Sequence, residues 1–145
     1  MSSWFENLRR LLFAHKSLGQ RGEDAAVRFL RRLGYKIVAR SARFNPRRRN
    51  SGEIDIVAVD GKQIVFVEVK TRSSHEKGHP AEAVDEEKQR RLTQAALSFL
   101  KRNDLLEYSS RFDVVAVTWP ANVKRPTIEH YKNAFEAVGR GQMFS

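Results

Sequence analysis

The 145-residue chain contains no cysteine. Disulfide frameworks and thiolate metal sites are therefore excluded, and the composition suits a reducing, cytoplasmic setting. Long hydrophobic runs are absent too. No apolar stretch approaches the roughly 20 residues needed to cross a bilayer, so no membrane span is expected. The N-terminus does not read as a signal peptide, because Arg9 and Arg10 interrupt its only apolar stretch. There is no internal repeat and no long low-complexity tract. At this length the chain reads as one domain, large enough for a real core. Acidic residues are also in short supply: 17 Asp and Glu stand against 27 Lys and Arg, for a net charge of +10 and a pI near 10.4. Such an excess predicts attraction to polyanions, most often nucleic acid, and says nothing about fold.

What is present centres on residues 52–72. Two β-rich runs flank Asp60-Gly61, a strong hairpin signal. Side chains alternate faces along a strand. A loop at Asp60-Gly61 sets Asp55 opposite Phe66 and Glu53 opposite Glu68; a loop at Gly61-Lys62 sets Asp55 opposite Glu68 itself. Either register leaves Glu53, Asp55, Glu68 and Lys70 on one face at the open end of the hairpin. A slip of one residue separates Asp55 from Glu68. Opposed side chains have Cβ atoms roughly 5 Å apart, where two carboxylates repel unless a cation or a proton lies between them.

The bland reading is a solvated strand edge. Against it, the charges interrupt runs of Ile, Val, Ala and Phe that read as strands buried on both faces. A charge there costs several kcal/mol unless it is paired or coordinates a metal. The pattern suits divalent-metal hydrolysis. Mg²⁺, or Mn²⁺ in its place, takes oxygen ligands and usually binds through one or two carboxylates plus substrate phosphate. Asp55 and Glu68 are the expected carboxylates, and the carbonyl of Val69 can add a third oxygen. Lys70 points at the same site and can orient or help deprotonate the attacking water, while the metal polarises the phosphoryl oxygen.

Elsewhere, residues 4–15 place Trp4, Phe5, Leu8, Leu11 and Leu12 at helical spacing opposite Glu6, Asn7, Arg9 and Arg10. Such a stripe packs on its own domain or a partner more often than on a membrane surface. Residues 19–33 predict a core helix with the stripe Ala26, Phe29, Leu30 and Leu33, stopped by Gly34. Residues 35–39 read as a strand. In residues 40–50, Arg40, Arg43, Arg47, Arg48 and Arg49 surround Phe44 and Pro46. A solvated basic loop is the simple reading; five arginines leading into the carboxylate hairpin are better suited to gripping phosphates, as is Arg72 beyond it. His75 and His79 lack the spaced partners of a zinc site. Asp85 is a cap for a helix over residues 86–102, whose inward stripe is Leu92, Ala95, Ala96, Phe99 and Leu100. Lys88 and Gln89 point inward at its start. Residues 112–118 read as a strand, apolar except for Asp113, residues 127–131 as an edge strand, and the tail from Glu136 as frayed. The order is α-β-β-β-α-β.

Asp55, a hairpin, then Glu68-Val69-Lys70 resembles the core of the PD-(D/E)XK nuclease superfamily, the fold of type II restriction enzymes. Residues 52–58 with 67–72 are similar to the Holliday-junction resolvases. The whole chain most resembles the bacterial YraN family, through Gly22-Glu-Asp-Ala-Ala26, the hairpin, Lys88-Gln-Arg-Arg-Leu92, Arg111-Phe-Asp-Val-Val115 and Asn133-Ala-Phe135. The resemblance implies a restriction-endonuclease-like mixed β-sheet flanked by helices. It implies an amphipathic extension over residues 1–16, a nuclease-like domain over 17–135 and a flexible tail over 136–145. It brings Glu23 to the metal site and gives Lys88 or Gln89 a role at that site or on a substrate phosphate. A first-turn glutamate is also favourable with the helix dipole, so both readings of Glu23 stand. The chain departs from the family pattern at Ser41, where asparagine is usual, and in a longer arginine loop, both of which bear on substrate preference.

Three functions remain open on sequence alone. The leading one is a Mg²⁺-dependent nuclease acting on DNA in preference to RNA, on branched or flapped structures. The second is a nucleic-acid-binding module that cleaves little and serves a DNA-processing partner. The third is a structural adaptor with no nucleic-acid role. Length, charge and motif do not choose DNA over RNA, junction over duplex, or monomer over homodimer.

Overall fold

The computed structural model describes residues 2–12, 16–43, 47, 52–74, 78–79 and 84–139. Helices α1 (Ser2–Leu12) and α2 (Leu18–Arg32) precede strands β1 (Lys36–Arg43), β2 (Glu53–Asp60) and β3 (Gln63–Arg72). Helix α3 (Glu86–Arg102) then leads to β4 (Ser110–Thr118) and β5 (Thr127–Phe135). The strands form one mixed sheet in the order β1-β2-β3-β4-β5. Only β3 and β4 are parallel, and α3 is the crossover that joins them. This five-stranded mixed sheet flanked by helices is consistent with a restriction-endonuclease-like fold.

Alternation along the central strands divides the core in two. Ile56, Ala58, Val65, Val67, Val115 and Val117 face α2, where Ala25, Ala26, Val27 and Leu30 cover them. Val57, Ile64, Phe66, Phe112 and Val114 face α3, meeting Leu92, Ala95, Ala96 and Leu100. Strands β3 and β4 are covered on both sides and so read as continuous apolar runs. Phe66 lies 5.7 Å from Phe112 and 6.1 Å from Phe99, ring centre to ring centre.

Local chemistry sets the element ends. Ser17 caps α2 by accepting from the Gln20 amide, and the Gln20 side chain returns to the Ser17 amide. The helix ends one residue before the expected boundary. Leu33 is its C-cap and is half exposed instead of completing the apolar stripe, because the chain turns away at Gly34, φ 91°. Asp85 caps α3 as expected, accepting from the Lys88 amide. Strand β1 runs to Arg43, beyond the expected residue 39, so Arg40 and Arg43 belong to a strand and not to the basic loop. Strand β5 likewise continues past residue 131 to Phe135, whose ring stacks on Phe112 at 4.7 Å. Ala137 packs on the second core and the Val138 amide donates to Thr93 Oγ1 at 3.1 Å. Residues 140–145 lie outside the described residues.

Asp113, the one acidic residue in β4, is fully buried. Arg111 donates to both its oxygens (3.0 and 3.2 Å), His130 Nε2 lies 2.8 Å away, and the Asn133 amide donates at 2.9 Å. Burial alone would raise its pKa; the bonds from His130, Arg111 and Asn133 outweigh it and hold the carboxyl below the ordinary range. Arg111 extends the network to Asp60, Gln63 and the Tyr35 hydroxyl. Strands β4 and β5, the hairpin turn and the start of β1 are thereby tied together. Ser41 has φ 52°, a left-handed conformation that asparagine tolerates better than serine.

Candidate active site

The hairpin turn decides the register. Asp60 pairs with Gln63, leaving Gly61 and Lys62 as the loop. Gly61 has φ 61° and Lys62 is not in the positive region, the pattern of a type II′ turn with glycine first. Of the two registers expected, this is the one that sets Asp55 across from Glu68. The β2–β3 ladder runs only to Ile56 and Val67. Beyond it Asp55 Oδ2, rather than a backbone carbonyl, takes the Val69 amide at 2.8 Å. The side chain is thus fixed at the fork where the two strands separate.

Glu68 is buried, with only 6% of its surface exposed, and two lysines neutralise it. Lys88 Nζ is 2.5 Å from Glu68 Oε1, and Lys70 Nζ is 3.8 Å from the same oxygen. The Asp85 cap makes Lys88 the third residue of α3, which turns it onto the sheet face that carries Glu68. Gln89 instead donates to the Val84 carbonyl at 2.9 Å and ties down the start of the helix. Burial, then the charge of Glu68, pushes the Asp55 carboxyl from 3.8 up to about 8. Burial and the neighbouring Lys88 lower the pKa of Lys70. Lys88 moves the other way: burial opposes its charge, but the bond to Glu68 prevails and its pKa is raised. Of the two lysines, Lys88 is the close counter-ion of Glu68, and Lys70 is the one whose pKa is lowered.

Glu23 approaches from α2. Burial raises its pKa, Arg40 at 3.9 Å opposes that, and the charges of Glu53, Asp24 and Glu68 add to it. Its neighbour Asp24, which the sequence did not single out, holds Lys16 at 2.6 Å and Arg40 at 2.9 Å. Two glycines permit this convergence. A Cβ on Gly22 would lie 2.0 Å from Thr71 Oγ1, and one on Gly52 would lie 2.3 Å from the Arg91 carbonyl. Close approach of α2 to β3, and of the start of β2 to α3, therefore requires no side chain at either position. Both glycines were visible as motif members; the contacts that need them were not.

The other expected residues have these places. Arg43 pairs with Glu53 at 3.1 Å, and Arg72 donates to the Gly78 carbonyl at 2.6 Å. Arg47 is exposed in a turn. Arg48 and Arg49 lie outside the described residues, as does His75, while His79 packs on Tyr131 at 4.7 Å. Among the described residues, no three Asp, Glu, His or Cys side chains are grouped closely enough to hold a metal ion. Two carboxylates do face one another, and Mg²⁺ commonly needs no more from the protein when phosphate and water complete its shell. The donor set therefore fits a hard divalent cation.

Residues 22–117, which span Glu23, Asp55, Glu68, Lys70 and Lys88, match the model of the uncharacterised protein family UPF0102, the YraN family. The chain belongs to that family. A UPF0102 protein of Rhodopirellula baltica is 50% identical over 141 residues, covering 94% of this chain and 81% of the relative. One from Geobacter metallireducens is 49% identical over 122 residues, covering 84% and 94%. One from Chlorobaculum tepidum is 44% identical over 128 residues, covering 86% and 95%. The N-terminal helix α1, with Trp4 and Phe5 largely exposed, lies ahead of the part that matches the family model. Among the described residues no helix is long and apolar enough to cross a membrane.

Proposed function

We propose that this UPF0102 protein is a Mg²⁺- or Mn²⁺-dependent endonuclease that hydrolyses phosphodiester bonds in DNA, on branched or flapped structures. One observation carries the reading: Asp55 and Glu68 face each other at the buried open end of the hairpin, with Lys70 and Lys88 against Glu68. Asp55, Glu68 and the carbonyl of Val69 would hold the cation, which when bound would supply Lewis-acid polarisation of the phosphoryl oxygen and a more acidic water. Lys70, its pKa lowered by burial and by Lys88, orients the attacking water and helps to deprotonate it. Lys88 balances Glu68 and is placed to meet a substrate phosphate. Glu23, with its raised pKa, can carry a proton at the edge of the site. The net charge of +10 and exposed Arg47 support a nucleic-acid substrate.

The close Lys88–Glu68 contact favours a second reading, in which the lysine already neutralises the carboxylate and the protein binds nucleic acid while cleaving little. A cleavage panel separates the two. Labelled duplex, junction, flap, single-stranded DNA and RNA are incubated with Mg²⁺ or Mn²⁺. The nuclease reading expects cleavage that Asp55→Asn, Glu68→Gln and Lys70→Ala each abolish while binding persists, with effects that do not add. Binding without cleavage on every substrate, or variants that cleave as well as the parent, assigns the protein to the second reading.

A further inference from the structure

On α2, Arg21, Ala25, Arg28 and Arg32 recur at spacings of four, three and four, so they share one side of the helix. That side meets the turn between β4 and β5. Arg28, Arg32, Lys124 and Arg125 line a groove of about 300 Å³ there, together with half-buried Trp119 and Ile128. All four cations are exposed, none has an ion pair among the described residues, and no acidic side chain lines the groove. Like charges gathered without counter-charge create a potential that an anion relieves.

Trp119 is held rigidly beside them. Its Nε1 donates to the Val123 carbonyl at 2.8 Å, and the Arg21 guanidinium lies 4.0 Å from the ring centre. A fixed aromatic surface among basic side chains is how proteins take a nucleic-acid strand, phosphates on the cations and bases on the ring. A lipid surface would call for apolar side chains projecting past the cations, and here Trp119 and Ile128 are half-buried and line the groove between them.

The groove and the carboxylate site are connected through β3. The Trp119 amide donates to the Arg72 carbonyl at 2.7 Å, and Arg72 pairs with Thr118 in the β3–β4 ladder. Arg72 stands two residues, about 7 Å, beyond Lys70 along β3, and Arg21 stands two residues before Glu23. The groove lies on the α2 face of the sheet and the carboxylates on the α3 face, around the same strand ends. We propose that this groove is a second nucleic-acid contact, holding the single-stranded continuation of the strand whose phosphodiester lies at Asp55 and Glu68. The proposal rests on nucleic acid being the substrate and deepens that reading by assigning where the flanking strand runs.

The test is binding, not cleavage, so a silent active site leaves it intact. Fluorescence anisotropy with labelled single-stranded oligonucleotide, a tailed duplex and a blunt duplex is measured in chelator across a salt series. The parent is compared with the fourfold variant Arg28→Ala, Arg32→Ala, Lys124→Ala, Arg125→Ala. The salt slope on single strands is expected to fall by about two to three, at roughly 0.7 per lost phosphate contact. Affinity should fall at least tenfold for single-stranded and tailed substrates, and much less for blunt duplex. If the fourfold variant fails to fold by its melting curve, Arg32→Gln with Lys124→Gln replaces it, with about half that slope change expected. Equal slopes for parent and variant overturn the groove while leaving nucleic-acid binding in place. A variant that loses only binding to anionic vesicles overturns it in favour of a lipid surface. A parent that binds no oligonucleotide overturns the groove and the nuclease reading together.

Discussion

Replacing Asp55 by Asn should stabilise the metal-free protein, and more so as pH rises. The Asp55 carboxyl is pushed from 3.8 up to about 8 by burial and by Glu68. An acid whose pKa is higher folded than unfolded binds a proton preferentially in the folded state between those values, so stability falls as pH climbs through that window. Below about pH 4 both states are protonated and there is no penalty; above about pH 8 the penalty is complete. At about 1.4 kcal/mol per pH unit the full span is roughly 6 kcal/mol. Lys70, Lys88 and water at the open end of the hairpin screen the charge, which leaves an expected effect of about 1–3 kcal/mol. Asparagine does not titrate. Its carbonyl can still accept from the Val69 amide, and its NH₂ can donate to Glu68 as a protonated Asp55 would. Thermal melts in chelator at pH 5, 6.5 and 8 should show Asp55→Asn close to the parent at pH 5 and higher by roughly 3–8 °C at pH 8. A variant that melts below the parent at pH 8, or a difference independent of pH, would refute the reasoning and make the carboxylates structural.

Three further outcomes follow from neighbouring features. Asp113→Ala removes the buried anion of the network, leaving Arg111 with only the partly exposed Asp60, and His130 and the Asn133 amide without their acceptor, and should cost about 3–5 kcal/mol in urea denaturation. Because the Asp113 pKa is lowered, its contribution is present above about pH 4 and fades as pH falls further, so the deficit of the variant should shrink in acid. Gly22→Ala forces α2 away from Thr71 and should cost about 1–3 kcal/mol, with Thr71→Ala restoring part of it; equal melting of Gly22→Ala and parent would contradict the packing argument. Replacing Arg47, Arg48 and Arg49 by alanine should flatten the salt slope on duplex DNA by about two to three, at roughly 0.9 per contact, and an unchanged slope moves the duplex surface elsewhere.

The hairpin could be read from the chain because alternation is local: four charges at fixed parity in apolar runs need no tertiary information. Its register stopped at two alternatives because both keep Asp55 and Glu68 on one face, and only the placement of Gly61 in the turn separates them. Lys88 and Gln89 were equivalent in sequence, and the Asp85 cap separates them by setting which one turns to Glu68. Leu33 was misplaced because helical spacing says nothing about where the sheet beneath ends. The Asp113 network was not legible at all. Its members come from four parts of the chain, with Tyr35 lying 76 residues from Arg111, and no local pattern records such a meeting. The groove beside Trp119 was hidden similarly, since its cations come from α2 and from a turn more than eighty residues later.

The central claim is that the hairpin carboxylates hold a divalent cation, and titration calorimetry of Mn²⁺ into chelator-stripped protein tests it most directly. At pH 6.5, in two buffers of different ionisation enthalpy, the account predicts one saturable site with release of about one proton, since Asp55 must give up its proton to bind the metal. Asp55→Asn and Glu68→Gln should lose the site. Binding that survives both substitutions, or no binding by the parent at millimolar Mn²⁺, would contradict it.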